Sequence, residues 1–159
     1  MISYKSPNNI ALLLWPSLRS VAYLQALDEA NFFPNEIILL KNHSKIDQRF
    51  LIESRKYSYN DFFDIERSIT EILSNKECNI INLNTSDINS STVIDSVNNL
   101  KNQYIIFTGG GILRKEILSL KKVFIHFHPG IIPQYRGSTC FYYSLLENYS
   151  LGATAYFMN

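Results

Sequence analysis

Cysteine is scarce: Cys78 and Cys140 are the only two. Two thiols cannot build a disulfide framework, and their separation is not that of a metal-ligand pair, so both read as reduced cysteines, Cys78 at a strand start and Cys140 near a helix start. Charge of one sign is not in excess either. Fifteen Lys and Arg against fourteen Asp and Glu leave a formal +1, which gives no global field toward DNA, a large tRNA footprint or an anionic membrane, and points instead to a small-molecule partner. No apolar run approaches the roughly 18 residues of a membrane span. Met1 to Trp15 lacks the basic start and small-residue cleavage site of a secretory leader, so the expected location is the cytoplasm. Without repeats, low-complexity blocks or a Pro/Gly-rich linker, residues 1–159 read as one domain.

What is present is an alternation of two hydrophobic patterns in a chain that is 46% apolar. Asn9 to Trp15 (NIALLLW) is a continuous apolar run, as in a strand covered on both faces. After Pro16, Ser17 is placed to cap a helix whose apolar positions are Leu18, Val21, Leu24 and Leu27. Glu36 to Leu40, Asn79 to Leu83, Tyr104 to Phe107, Val123 to Phe127 and Ala153 to Met158 read as further strands. Phe62, Ile65, Ile69, Ile72 and Leu73 predict a helix over Asn60 to Asn75, and Val93, Val97 and Leu100 another, capped by Asn89 or Ser90. The stretch Lys41 to Ser58 reads as loop. Strands separated by helices imply a doubly wound, mostly parallel, Rossmann-like α/β fold, with ligands at the carboxyl ends of strands.

Two loops lie at such ends. Thr108 to Lys115 contains Gly109, Gly110 and Gly111, where a backbone can approach a ligand or simply turn; the spacing is not that of a dinucleotide or triphosphate loop. In FIHFHPGIIPQYRG, from Phe124 to Gly137, His126 and His128 are two apart on a strand and share one face, with Phe127 on the other. An imidazole in a crevice can exchange a proton near neutrality. His128, at the mouth, suits general acid–base work and His126, one step deeper, suits hydrogen-bond donation; alternatively both satisfy buried hydrogen bonds. Arg136 offers a planar fork for a carboxylate or phosphate, or holds its own loop. No metal site is expected, since His43 is the only other histidine and two ligands make a metal-dependent hydrolase a weak rival.

Taken in order, GGGILRKEIL at Gly109 to Leu118, FIHFHPGIIPQYRG and GATAYFM at Gly152 to Met158 resemble the folate-dependent formyltransferases that act on methionyl-tRNA, glycinamide ribonucleotide and nucleotide-sugar amines. The family signature Asn-x-His-Pro-(Ser/Gly)-x-x-Pro-x-x-(Arg/Lys)-Gly is met in register by His128, Pro129, Gly130, Pro133, Arg136 and Gly137. The resemblance is strong from about Tyr104 onward and earlier is one of fold only. It implies transfer of a formyl group from 10-formyltetrahydrofolate to a small amine, with an amino sugar as one candidate. It makes His128 catalytic. It also places Gly110, Gly111, Ile112 and Leu113 along the pterin pocket, with Met158 and Asn159 as its other wall.

Two positions depart from the pattern. His126 stands where the family has Asn, so an imidazole N–H is expected to replace the amide N–H as oxyanion donor. The family's catalytic Asp is expected just past Asn159, which makes the domain read as truncated at its carboxyl-terminal end. The acceptor is not legible: WPSLRS at Trp15 to Ser20 is neither a glycine-rich phosphate turn nor the turn of the tRNA enzymes. Arg19, with Ser17 and Ser20, can meet an anionic substrate at that helix start or form a solvated first turn. A degenerate domain of the same fold, binding folate or another ligand without catalysis, is the alternative function.

Overall fold

A computed structural model describes residues 9–41 and 63–158. His43, Asn159, positions 42–58 of the expected loop and 60–62 of the expected helix lie outside the described residues. Six strands form one sheet: β1 (Ile10–Leu14), β2 (Glu36–Leu40), β3 (Asn79–Leu83), β4 (Tyr104–Phe107), β5 (Val123–His128) and β6 (Thr154–Met158), in the order β3-β2-β1-β4-β5-β6. The described helices are α1 (Leu18–Glu29), α2 (Ile69–Ser74), α3 (Ser91–Asn99), α4 (Lys115–Leu118) and α5 (Cys140–Asn148).

β1 is central because both of its faces are covered, and its period of two divides the core. Ala11 and Leu13 join Ile38, Ile105, Phe107 and Phe124 beneath Val93 and Val97 of α3 and Ile117 of α4. Leu12 and Leu14 join Ile37 and Ile106 beneath Val21 and Leu24 of α1 and Ile72 and Leu73 of α2. Helices therefore cover both faces, and all neighbouring strands are parallel except β5 and β6, which run antiparallel. This is the doubly wound α/β architecture. Among the described residues no helix is long and apolar enough to cross a membrane.

Side-chain caps start α1 and α2. The Ser17 hydroxyl accepts the Ser20 N–H at 3.2 Å and starts α1 as expected. α3 begins after Ser90, which occupies the cap position. The helix expected over Asn60 to Asn75 is shorter: among the described residues it begins only at Ile69. Ahead of it, the Asp64 carboxylate accepts the Glu66 N–H at 2.9 Å, and the Gln25 amide of α1 brackets the Asp64 backbone at 2.6 and 2.8 Å. Asp64 thereby forms a turn, and Ser68 caps the helix by accepting the Glu71 N–H at 3.1 Å. Apolar spacing reports which side chains are covered but not where the backbone ladder starts.

Candidate active site

The order of strands reverses between β1 and β4, so the turns that leave their carboxyl ends lie side by side, the usual place for a ligand crevice. Hydroxyl groups tie these turns together. The Trp15 N–H donates to Thr108 Oγ1 at 3.2 Å, Ser20 Oγ lies 2.9 Å from the same oxygen, and the Thr108 N–H donates to the Leu13 carbonyl at 3.2 Å. Ser20 and Thr108 are fully buried. Thr108→Val keeps the shape but removes the hydroxyl, leaving the Trp15 N–H without its partner, while the Ser20 hydroxyl keeps the Trp15 carbonyl and Ser17. The expected cost is roughly 1–3 kcal/mol, read by denaturant unfolding; an unchanged midpoint would mean that this network does not hold the turns.

The glycine turn is shaped from both sides. Gly109, Gly110 and Gly111 all have φ above +100° (118°, 106° and 133°), a region that L side chains rarely adopt. Trp15 lies against Gly110, where an added Cβ would come within 2.2 Å of Trp15 Cγ. The indole N–H is anchored on the Ser86 carbonyl at 3.1 Å. Asn89, just before the start of α3, spans the far side of the turn: its amide donates to the Ile112 carbonyl at 3.0 Å and its carbonyl accepts the Arg114 N–H at 2.8 Å. The sequence marks Asn89 only as a helix cap and Trp15 only as a strand end and the start of the WPSLRS turn, not as a brace for the glycine turn.

Beyond the turn, Gly110, Gly111 and Ile112 are exposed, Ile112 at 85%, whereas Leu113 is buried in the core cluster that Met158 also packs against. Met158 stands opposite Phe124 because β6 runs antiparallel, so Thr154 rather than Met158 is the β6 residue beside His128. Leu113 and Met158 therefore both belong with the core cluster that contains Phe124, and Ile112 is left exposed.

His126 and His128 share one face of β5, as the alternation requires, but their environments differ from the expected ones. His128 is not at an open mouth: it is 9% exposed. Its Nε2 is 2.9 Å from the Tyr135 carbonyl and 3.2 Å from Cys140 Sγ, and that thiol donates to the Pro129 carbonyl at 3.1 Å. The loop after β5 folds back over the ring. Gly130 makes room for this, since a Cβ there would meet Cys140 Sγ at 2.6 Å, the Tyr135 carbonyl at 2.9 Å and His128 Nε2 at 3.1 Å. The loop is tied down by Thr154, whose hydroxyl donates to the Gly130 carbonyl at 2.7 Å and accepts the Ile132 N–H at 3.1 Å. Arg136 donates its Nε–H to the Pro133 carbonyl of the same loop at 3.1 Å.

His126 is half-buried between Phe107 and Tyr156, with ring centroids 5.8 and 5.9 Å away. Its Nδ1 is 3.1 Å from the Phe107 carbonyl, the last residue of β4 before the glycine turn. Burial pushes the His126 pKa below its ordinary value; the Phe107 bond opposes this, and the charges of Arg19 and His128 add to it. Arg19 is exposed, 3.4 Å from where a Gly109 Cβ would lie. The structure thus gathers His126, His128, Arg19 and the glycine turn at one end of the sheet, and leaves Arg136 engaged in its own loop.

On the opposite face of β5, Arg19, Ala22, Tyr23, Ala26, Leu27 and Phe127 line a shallow pocket of about 320 Å³. Tyr23 donates to the Phe127 carbonyl at 3.2 Å and stacks edge-on against its ring, and burial raises the phenol pKa above its usual value. The spacing of Arg19 and Tyr23, four apart on a helix, was the available signal for this pocket. Among the described residues no three His, Cys, Asp or Glu side chains cluster as a metal site.

Neither a protein-family model nor a curated protein matches the sequence. Solved structures do match the fold. Glycinamide ribonucleotide transformylase 1 from Symbiobacterium toebii aligns at a TM-score of 0.54 with 14% identity, covering 94% of this chain and 65% of that one. The phosphoribosylglycinamide formyltransferase of Coxiella burnetii aligns at 0.55 with 14% identity, over 97% and 67% of the two chains. A sugar N-formyltransferase from a Shewanella species aligns at 0.54 with 13% identity, over 94% and 51%. These chains are longer, and the present one spans between about half and two thirds of their length. The crevice belongs to a doubly wound α/β protein whose loops meet where the strand order reverses. More particularly, the chain has the formyltransferase fold.

Proposed function

We propose that this protein transfers a formyl group from 10-formyltetrahydrofolate to the amine of a small substrate, an amino sugar being the first candidate, and that it does so in the cytoplasm. One observation carries the reading: the His126–Phe107 bond brings the end of β4, with its glycine turn, against the histidine strand β5, which is the pairing that the sequence motifs call for. The glycine turn suits the folate. Gly110 and Gly111 are exposed and carry no side chains of their own, beside the exposed apolar side chain of Ile112, a surface on which a flat heteroaromatic ring with polar edges can lie. Arg19 supplies a cation for an anionic part of the acceptor.

In such a transfer the amine nitrogen bonds the formyl carbon, an oxyanion develops, and the carbon–nitrogen bond to the folate breaks as that nitrogen gains a proton. His128, held by the Tyr135 carbonyl through Nε2, is oriented to serve this proton traffic. A second reading, a domain that binds folate without transferring its formyl group, is favoured by one observation: the neutral His126 ring directs its N–H to Phe107 and not to a developing oxyanion. The experiment is a thermal-shift titration of the native full-length protein with a stable folate analogue, followed by transfer assays on free and nucleotide-linked amino sugars. The expected result is a stabilisation that grows with analogue concentration and formylation of at least one acceptor. Absence of any folate-induced shift would count against both readings, and a shift without transfer would favour the second.

A further inference from the structure

The two nitrogens of the His126 ring have unequal roles, and the structure says which is which. A carbonyl oxygen offers only lone pairs, so Nδ1, bonded to the Phe107 carbonyl at 3.1 Å, must carry the hydrogen. In the neutral imidazole Nε2 is then a bare lone pair, directed away from Phe107. An amide at this position, as the formyltransferase signature has, would offer an N–H; His126 offers an acceptor instead.

We propose that His126 Nε2 is the general base that takes a proton from the incoming amine of the acceptor, which arrives as an ammonium. The inference rests on the formyl-transfer reading and assigns to His126 a role opposite to that of the residue it replaces. The proton balance is simple. An ammonium R–NH3+ gives one proton to Nε2, and the freed lone pair bonds the formyl carbon. The nitrogen sheds a second proton as it becomes an amide. The departing folate nitrogen takes up one of the two, and the other leaves to solvent.

The surroundings fit a base that is unprotonated when it is needed. Among the described residues, the groups that bear on His126 are the Phe107 carbonyl and ring from β4, His128 on its own strand, Tyr156 directly across on β6 and, through its charge, the Arg19 guanidinium at the start of α1. None of these is a carboxylate, which would stabilise an imidazolium. Burial, then Arg19 and His128, all favour the neutral ring over the pull of the Phe107 bond. A base below its ordinary pKa is free to accept at neutral pH.

Two measurements test this. Imidazole nitrogen NMR of the labelled native protein, above the histidine titration range, needs no acceptor. His126 is expected to show its proton on Nδ1 and a lone pair on Nε2; a proton on Nε2 overturns the proposal. In transfer assays on the amino sugars, His126→Asn, which restores a donor but cannot titrate, is expected to lower kcat/KM by about 10²–10⁴ and to abolish the acid limb of its pH profile. His126→Gln serves as the second variant should Asn disturb the strand. An unchanged acid limb in a folded variant, or activity raised by Asn, overturns it. If the wild type shows the expected tautomer but formylates no amine, the transfer reading has failed and this assignment with it, whereas transfer with the wrong tautomer sinks the assignment alone.

Discussion

Replacing His128 with alanine is expected to lower formyl transfer by about 10²–10⁴, the usual contribution of a positioned acid–base group. The loss is not purely chemical, because the ring also satisfies the Tyr135 carbonyl at 2.9 Å and touches the Cys140 thiol at 3.2 Å. Deleting it leaves that carbonyl short of a donor, at a cost of roughly 1–3 kcal/mol. His128→Gln separates the two effects, since a carboxamide N–H can reach the carbonyl but cannot titrate. The expected pattern is that both variants lose transfer, Gln keeps most of the stability and Ala loses more of it. A folded Gln variant with wild-type kcat/KM would show that His128 is only a strut for the loop. With Nε2 engaged, the lone pair of the neutral ring lies on Nδ1, so any proton accepted by His128 is taken there.

The second large effect is expected at Gly110. Alanine there must hold φ near +106°, at about 1–3 kcal/mol. Its Cβ must also fit 2.2 Å from Trp15 Cγ and 2.5 Å from Cδ1, which requires the indole to move and adds about 1–3 kcal/mol of overpacking strain. Their sum is a large share of the roughly 5–15 kcal/mol that holds a domain together. Gly137 is the control: its φ is +92°, but nothing lies within 4 Å of its Cβ position. Gly137→Ala should therefore suffer the backbone cost alone. Denaturant midpoints for the two variants measure the difference. Equal destabilisation would show that Trp15 yields freely and does not brace the glycine turn; a larger loss at Gly110, with weakened binding of the folate analogue, is the expected outcome.

Much of the site was legible because its elements announce themselves locally. The buried run at Ile10–Leu14, the Ser17 cap and the alternating His126 and His128 depend on neighbours within a turn or a pleat. The roles of the site residues were less so. His128 was expected at an open mouth, but the loop that carries Tyr135 closes over it, an outcome set by Gly130, Thr154 and the start of α5 rather than by the strand. Arg136 has the same donors whether it meets a ligand or its own loop, and only the folded loop shows Nε on the Pro133 carbonyl. Asn89 and Trp15 gave no signal as site residues because their partners, Ile112 and Arg114 for one and Thr108 and Ser86 for the other, are remote in sequence.

By itself the sequence determined the alternation of strands and helices, the glycine turn, the paired histidines and the resemblance that joins them, since each follows from periodicity or from spacing within a short segment. Tertiary structure alone decided which nitrogen of each histidine is engaged. The partner of His126 lies 19 residues away on β4 and that of Trp15 lies 93 residues away, and such pairs are set by the order of strands in the sheet. For His126, which imidazole nitrogen keeps its lone pair is thus a property of strand order, because a backbone carbonyl delivered by a neighbouring strand can only accept a hydrogen bond and so determines where the proton sits, whereas for His128 the Tyr135 carbonyl of the following loop does the same.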